Sequence, residues 1–128
     1  MIDNIQLTSQ RDPDPAVDRF NVDAEWDVNW PSFALATDLP HQEEWALVGV
    51  DPNKQDTLYN GPVQLGGISP NGNATTHRTK HVSLDASVLD EDPGTGALSD
   101  DEIAVKITYT PLLPTPVTAQ SAEVTISA

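Results

Sequence analysis

At 128 residues the chain is the size of a single domain, read here as spanning 1–128, and folding at that length buries roughly two thirds of the surface the unfolded chain exposes. Hydrophobic residues make up only 38% of it, many of them Ala and Val, so the core must be thin, as between two packed sheets. Twenty Asp and Glu against six Lys and Arg give a net charge of −14, which leaves too few cationic groups to displace counterions from nucleic acid and suits molar salt, where the Debye length is about 3 Å.

Taken in chain order, Ile5 to Thr8 reads as a first, weak strand, followed by an acidic turn at Asp12-Pro13-Asp14. From Phe20 to Trp30 the pattern is strict: Phe20, Val22, Ala24, Trp26, Val28 and Trp30 alternate with Asn21, Asp23, Glu25, Asp27 and Asn29. A period of two over that span predicts a strand with one buried and one solvated face. Weaker strands are predicted at Phe33 to Thr37, Trp45 to Val50 and Val63 to Leu65. They are punctuated by the turn signals Asp51-Pro52-Asn53, Asn60-Gly61-Pro62 and Ser69-Pro70-Asn71-Gly72. Alternation returns at Val82 to Val88, with Val82, Leu84, Ala86 and Val88 inward, and at Ile103 to Tyr109, with Ile103, Val105, Ile107 and Tyr109 inward. A last strand is predicted where Ala122, Val124 and Ile126 alternate with Glu123, Thr125 and Ser127. No window carries a helical stripe, so the expected fold is all-β, an antiparallel β-sandwich of seven or eight strands of immunoglobulin-like or jelly-roll type.

The long strand with its two tryptophans, Trp26 and Trp30, the late strand ending in Tyr109 and the β-branched final strand together resemble an immunoglobulin-like or fibronectin-like module. The same pattern resembles the small β-sandwich proteins that coat or decorate haloarchaeal virus particles. The paired Cys of true immunoglobulin domains are absent, and Tyr109 lacks the flanking pattern of a tyrosine corner. The resemblance implies a fold class; function has to come from sites.

Candidate sites are few. Thr75-Thr76-His77-Arg78-Thr79-Lys80-His81 is the one basic patch on an acidic chain, and His77, Arg78, Lys80 and His81 are candidates for docking an acidic neighbour or another copy. The plainer alternative is an exposed strand end. A shared metal on His77 and His81 is disfavoured, because four residues along a strand separate them by about 13 Å. Acidic turns at Asp90-Glu91-Asp92 and Asp100-Asp101-Glu102 place Asp90, Asp92, Asp100 and Asp101 as candidate Ca²⁺ ligands. No Asp-x-Asp-x-Asp-Gly loop is present, and acid runs more often form a solvated face, so the expectation is no cofactor, with Ca²⁺ the one alternative. Pro111-Leu112-Leu113-Pro114-Thr115-Pro116 is a stiff apolar connection, in which Leu112, Leu113 and Pro114 either contact a partner, losing little conformational entropy, or cap the core. Asn73-Ala74-Thr75 is a glycosylation sequon in a loop.

The enzyme classes find no footing: there is no Gly-x-Ser-x-Gly elbow and no phosphate-cradling glycine motif. The acids fall on outward strand positions or in turns rather than in an apolar pocket of the kind a glycosidase acid needs. The chain has no Cys, which removes disulfides and thiolate metal sites. No stretch approaches the roughly 18 apolar residues of a membrane span, and Met1-Ile2-Asp3-Asn4-Ile5 has no signal-peptide character. The sequence therefore points to a non-catalytic structural protein of a halophilic assembly, a virion component such as a capsid decoration, turret or tail. Its expected partners are other proteins or copies of itself, in a virion or assembled inside a halophilic cell. The alternative is a cell-surface immunoglobulin-like module that binds sugar, ion or protein through its loops.

Overall fold

The computed structural model describes residues 1–51, 54–89, 102–113 and 118–126. Six strands and two short helices run in the order β1 (Ile2–Arg11), β2 (Arg19–Asn29), α1 (Ser32–Thr37), β3 (His41–Asp51), β4 (Lys54–Asn60), β5 (Thr75–Asp85), α2 (Ala86–Leu89) and β6 (Ile103–Pro111). They form two three-stranded antiparallel sheets, β1-β2-β5 and β4-β3-β6. The chain is all-β, with six strands among the described residues rather than the seven or eight expected.

The strict alternation of β2 does what its period dictates. Val22, Ala24, Trp26 and Val28 are buried on one side of the first sheet, and Trp45 and Leu47 of β3 meet them from the second, with Trp30, Ala34 and Leu84 closing the cluster. Trp26 and Leu47 are fully enclosed. One hydrophobic core thus lies between the two sheets, as a period-two pattern on two facing strands requires.

Four sequence expectations are corrected. Phe33 to Thr37 is the helix α1 rather than a strand: Pro31 sets its entry, Ala34, Leu35 and Ala36 favour helix, and Asp38 at φ 50° closes it with its N–H on the Ala34 carbonyl. Val63 to Leu65 forms no strand, and Leu65 is almost wholly exposed. The Val82 to Val88 pattern ends early, because β5 stops at Asp85 and Ala86–Leu89 turns into α2, leaving Val88 at the surface. Ala122 to Ile126 pairs with nothing among the described residues, and Val124 and Ile126 are 83% and 91% exposed.

One strand was hidden from the sequence. In β4 the register jumps between Leu47↔Tyr59 and Val48↔Thr57, so Leu58 is an extra residue in a bulge. Leu58 and Tyr59, adjacent in sequence, both reach the core, and a bulge of this kind erases the alternation by which strands are recognised. β1 also bulges, between Asp3 and Gln6, where Asn4 takes a positive φ of 51°.

Candidate functional site

The basic patch Thr75 to His81 is neither a strand end nor a uniform surface. It is the first two thirds of β5, and the pleat divides it: His77, Thr79 and His81 point outward while Arg78 and Lys80 share the inward face with Val82 and Leu84. Arg78 and Lys80 both reach Glu43, which β3 presents from the opposite sheet on the same side as Trp45 and Leu47. The pairing bridges the two sheets.

Glu43 is 2% exposed, and its two carboxylate oxygens are fully engaged. One accepts the Arg78 Nε–H at 2.8 Å and the Tyr109 hydroxyl at 2.6 Å; the other accepts Arg78 Nη2 at 3.1 Å and Lys80 Nζ at 2.5 Å. Tyr109 in turn accepts a hydrogen bond from Trp26 Nε1 at 2.9 Å. The cluster draws on β2, β3, β5 and β6, two strands from each sheet.

Burial by itself pushes the Glu43 carboxyl up, but the donors from Arg78, Lys80 and Tyr109 overcome it and hold the pKa at about 2. The Tyr109 phenol moves the opposite way, above its ordinary value, because it is buried and already bonded to an anion. The Arg78 guanidinium is held more firmly protonated by its hydrogen bonds to Glu43. Glu43 therefore stays ionised with its lone pairs filled, which suits a clamp and not a proton shuttle. Around it the ring chain continues, with Trp30 edge-on to Tyr109 at 5.9 Å and tilted on the buried His41 at 5.0 Å.

The outer face of the first sheet has a different character. His77 and His81 sit directly across from Asp27 and Asp23 on β2, each with Nδ1 2.7 Å from its partner carboxylate, and Glu25 lies 3.6 Å from His77 Nε2. The hydrogen bond that His77 donates to Asp27 raises the His77 pKa above 6.5, and Asp27 is lowered by the bonds it accepts from Asn4 and His77. Beside these pairs runs a shallow groove of about 460 Å³ lined by Gln6, Thr8, Asp23, Glu25, Thr79 and His81. Among the described residues no group of three or more His, Asp or Glu is placed to hold a metal ion. The Ca²⁺ candidates Asp90, Asp92, Asp100 and Asp101 lie outside the described residues.

A second groove, also about 460 Å³, crosses the outer face of the second sheet past Thr57, Asn60, Gly61, Lys106 and Thr108, with Trp45 among its lining residues. Gly61 is obligatory there, since a Cβ on it would lie 2.1 Å from that ring. The Trp45 N–H is buried with no hydrogen-bond partner.

The sequence-predicted partner residues are thus dispersed. His77 and His81 lie on the outer face, while Arg78 and Lys80 are withdrawn into the clamp. Leu112 donates its backbone N–H to the Pro40 carbonyl and lies half-buried beside Gly67, whereas Leu113 is 74% exposed. Pro114 falls outside the described residues. Glu43 and Tyr109 were missed as a pair, although parity pointed to both: Glu43 is in phase with Trp45 and Leu47, and Arg78 and Lys80 with Val82 and Leu84. Among the described residues no helix is long and apolar enough to cross a membrane. Compared with known proteins, the chain matches no family model, no curated protein and no solved structure, so its function has to be argued from its own residues.

Proposed function

We propose that this chain is a non-catalytic structural unit of a protein assembly that works in concentrated salt, concretely a virion component of a haloarchaeal virus such as a capsid decoration, turret or tail protein. Its fold in this reading is an antiparallel β-sandwich of immunoglobulin-like or jelly-roll type. One observation carries the proposal: the buried ionisable cluster Glu43–Arg78–Lys80–Tyr109 spends its bonds on holding the two sheets together. Charge on the outside is dominated by acids, a net of −14 that self-repels in dilute buffer and is screened in brine. The unfolding midpoint is expected to rise clearly between about 0.1 and 3 M KCl as repulsion is screened and burial strengthens. A flat or falling midpoint overturns the salt-adapted reading, and absence of the chain from purified particles by mass spectrometry overturns the virion one.

A cell-surface module that binds sugar, ion or protein through its loops is the second reading. It is favoured by the groove on the outer face of the second sheet, where Thr57, Asn60, Lys106 and Thr108 offer polar groups to a ligand. Soluble saccharides that shift tryptophan fluorescence in wild type, and not in a Thr57→Leu, Asn60→Leu variant, would favour it over the structural reading.

A further inference from the structure

The segment Ala122 to Ile126 has the pattern of a strand and the environment of a tail. Its apolar residues Ala122, Val124 and Ile126 alternate with Glu123 and Thr125, yet all are exposed and unpaired among the described residues. An alternating apolar segment of this kind is stable only with one face covered and its backbone groups bonded.

The sheet edges differ in what they can accept. The β5 edge carries Arg78 and Lys80 inward, a device that discourages strand addition. The β1 and β4 edges each carry a bulge. β6 is different: it pairs with β3 without a register shift from Ile103 to Pro111, and no strand lies on its other side among the described residues. Its inward residues Ile103, Val105 and Ile107 are only half-buried.

We propose that Ala122 to Ile126 of one copy adds as an antiparallel strand to the β6 edge of a second copy. One register satisfies both faces. With Glu123 opposite Lys106, the inward pairs are Ala122 with Ile107, Val124 with Val105 and Ile126 with Ile103, and the outward pair joins an acid to the lysine of β6. Main-chain bonds then supply affinity and the alternate side chains supply register, as in strand addition generally. A second copy is the occupant because, among the described residues, 118–126 pair with no strand of their own chain and β6 has β3 as its one neighbour, which makes the contact heterologous and repeating from copy to copy. The inference rests on the assembly reading and gives it a mechanism.

The absence of Cys makes the test clean. Side chains directly opposite on antiparallel strands have Cβ atoms about 4.5–5.5 Å apart, close enough for a disulfide after small adjustment. Mixing a Glu123→Cys protein with a Lys106→Cys protein in about 3 M KCl, where repulsion is screened, should give a cross-linked pair of twice the mass as the main oxidised product. Adding Val124→Asp and Ile126→Asp to the first protein should abolish it and return wild-type-like association to monomer in sedimentation. If the double variant Glu123→Cys, Lys106→Cys closes within one monomer while the mixture does not cross-link, the tail docks on its own chain and the proposal falls. Should association persist with Val124→Asp and Ile126→Asp in place, the tail mechanism fails and the assembly reading stands. If wild type stays monomeric in that salt, both fail.

Discussion

The two faces of β5 carry the same kind of chemistry to opposite ends. Outward, His77 and His81 pair with Asp27 and Asp23 in reach of solvent; inward, one residue along the strand, Arg78 and Lys80 pair with Glu43 in the core. Exposed pairs exchange their bonds freely with water and contribute little. The inward pair has no such exchange: a buried carboxylate without its donors is strongly destabilising, whereas an apolar substitute of similar shape is often tolerated. Proximity is common to both faces, and burial alone separates an ornament from a clamp.

That contrast is broken most forcefully at its support. Trp26 is fully buried and donates to the Tyr109 hydroxyl, so Trp26→Ala should lower the unfolding free energy by about 3–5 kcal/mol in chemical denaturation, the range for deleting a buried aromatic. Next comes the clamp itself: Glu43→Ala leaves Arg78 and Lys80 without an anion, and a loss of about 3 kcal/mol is expected because both cations keep some contact with water. A loss under about 1 kcal/mol, the scale of a surface pair, would mean that burial does not set the two faces apart.

Acid sharpens the comparison further. The Glu43 pKa lies at about 2 in the folded protein against an ordinary 4.5, so its contribution is complete above the unfolded value and is lost as pH falls toward the folded one. That difference corresponds to about 3–4 kcal/mol at roughly 1.4 kcal/mol per unit. The stability gap between wild type and Glu43→Gln should therefore narrow as pH drops from 4.5 to about 2. Equilibrium unfolding at a series of pH values reads it directly.

The outer face should give the smallest effect and the opposite sign. His77 is raised above 6.5 by Asp27, so the small stability it adds is present below that value and fades as pH climbs through the folded pKa. An NMR titration should place the His77 midpoint above 6.5 in wild type and lower in Asp27→Asn. The accompanying change in stability should be minor beside that of Glu43→Ala.

Much of the architecture was legible because β2, β5 and β6 keep one residue in two apolar or in phase with apolar neighbours. The clamp was half legible: the phase of Arg78 and Lys80 with Val82 and Leu84 marks them as inward, but their charge read as surface, and no local signal ties them to Glu43 across 35 residues. The bulge at Leu58 hides β4, and α1 carries a strand-like pattern because Phe33 and Leu35 fit either period over so short a stretch. The tail, read as a strand, is a strand sequence without a strand's neighbours.

The clamp also has a consequence in time. Its bonds join residues 35, 66 and 83 positions apart, from Arg78 to Glu43, Glu43 to Tyr109 and Trp26 to Tyr109. Such distant partners meet only after hairpins have formed and the sheets have closed, which makes all-β chains slow folders, on the order of milliseconds to seconds. Until then Glu43, Arg78 and Lys80 remain hydrated and the chain gains nothing from them. Substitutions at Glu43 should accordingly leave the refolding rate nearly unchanged and speed unfolding, so that what the clamp governs is how long a folded copy survives.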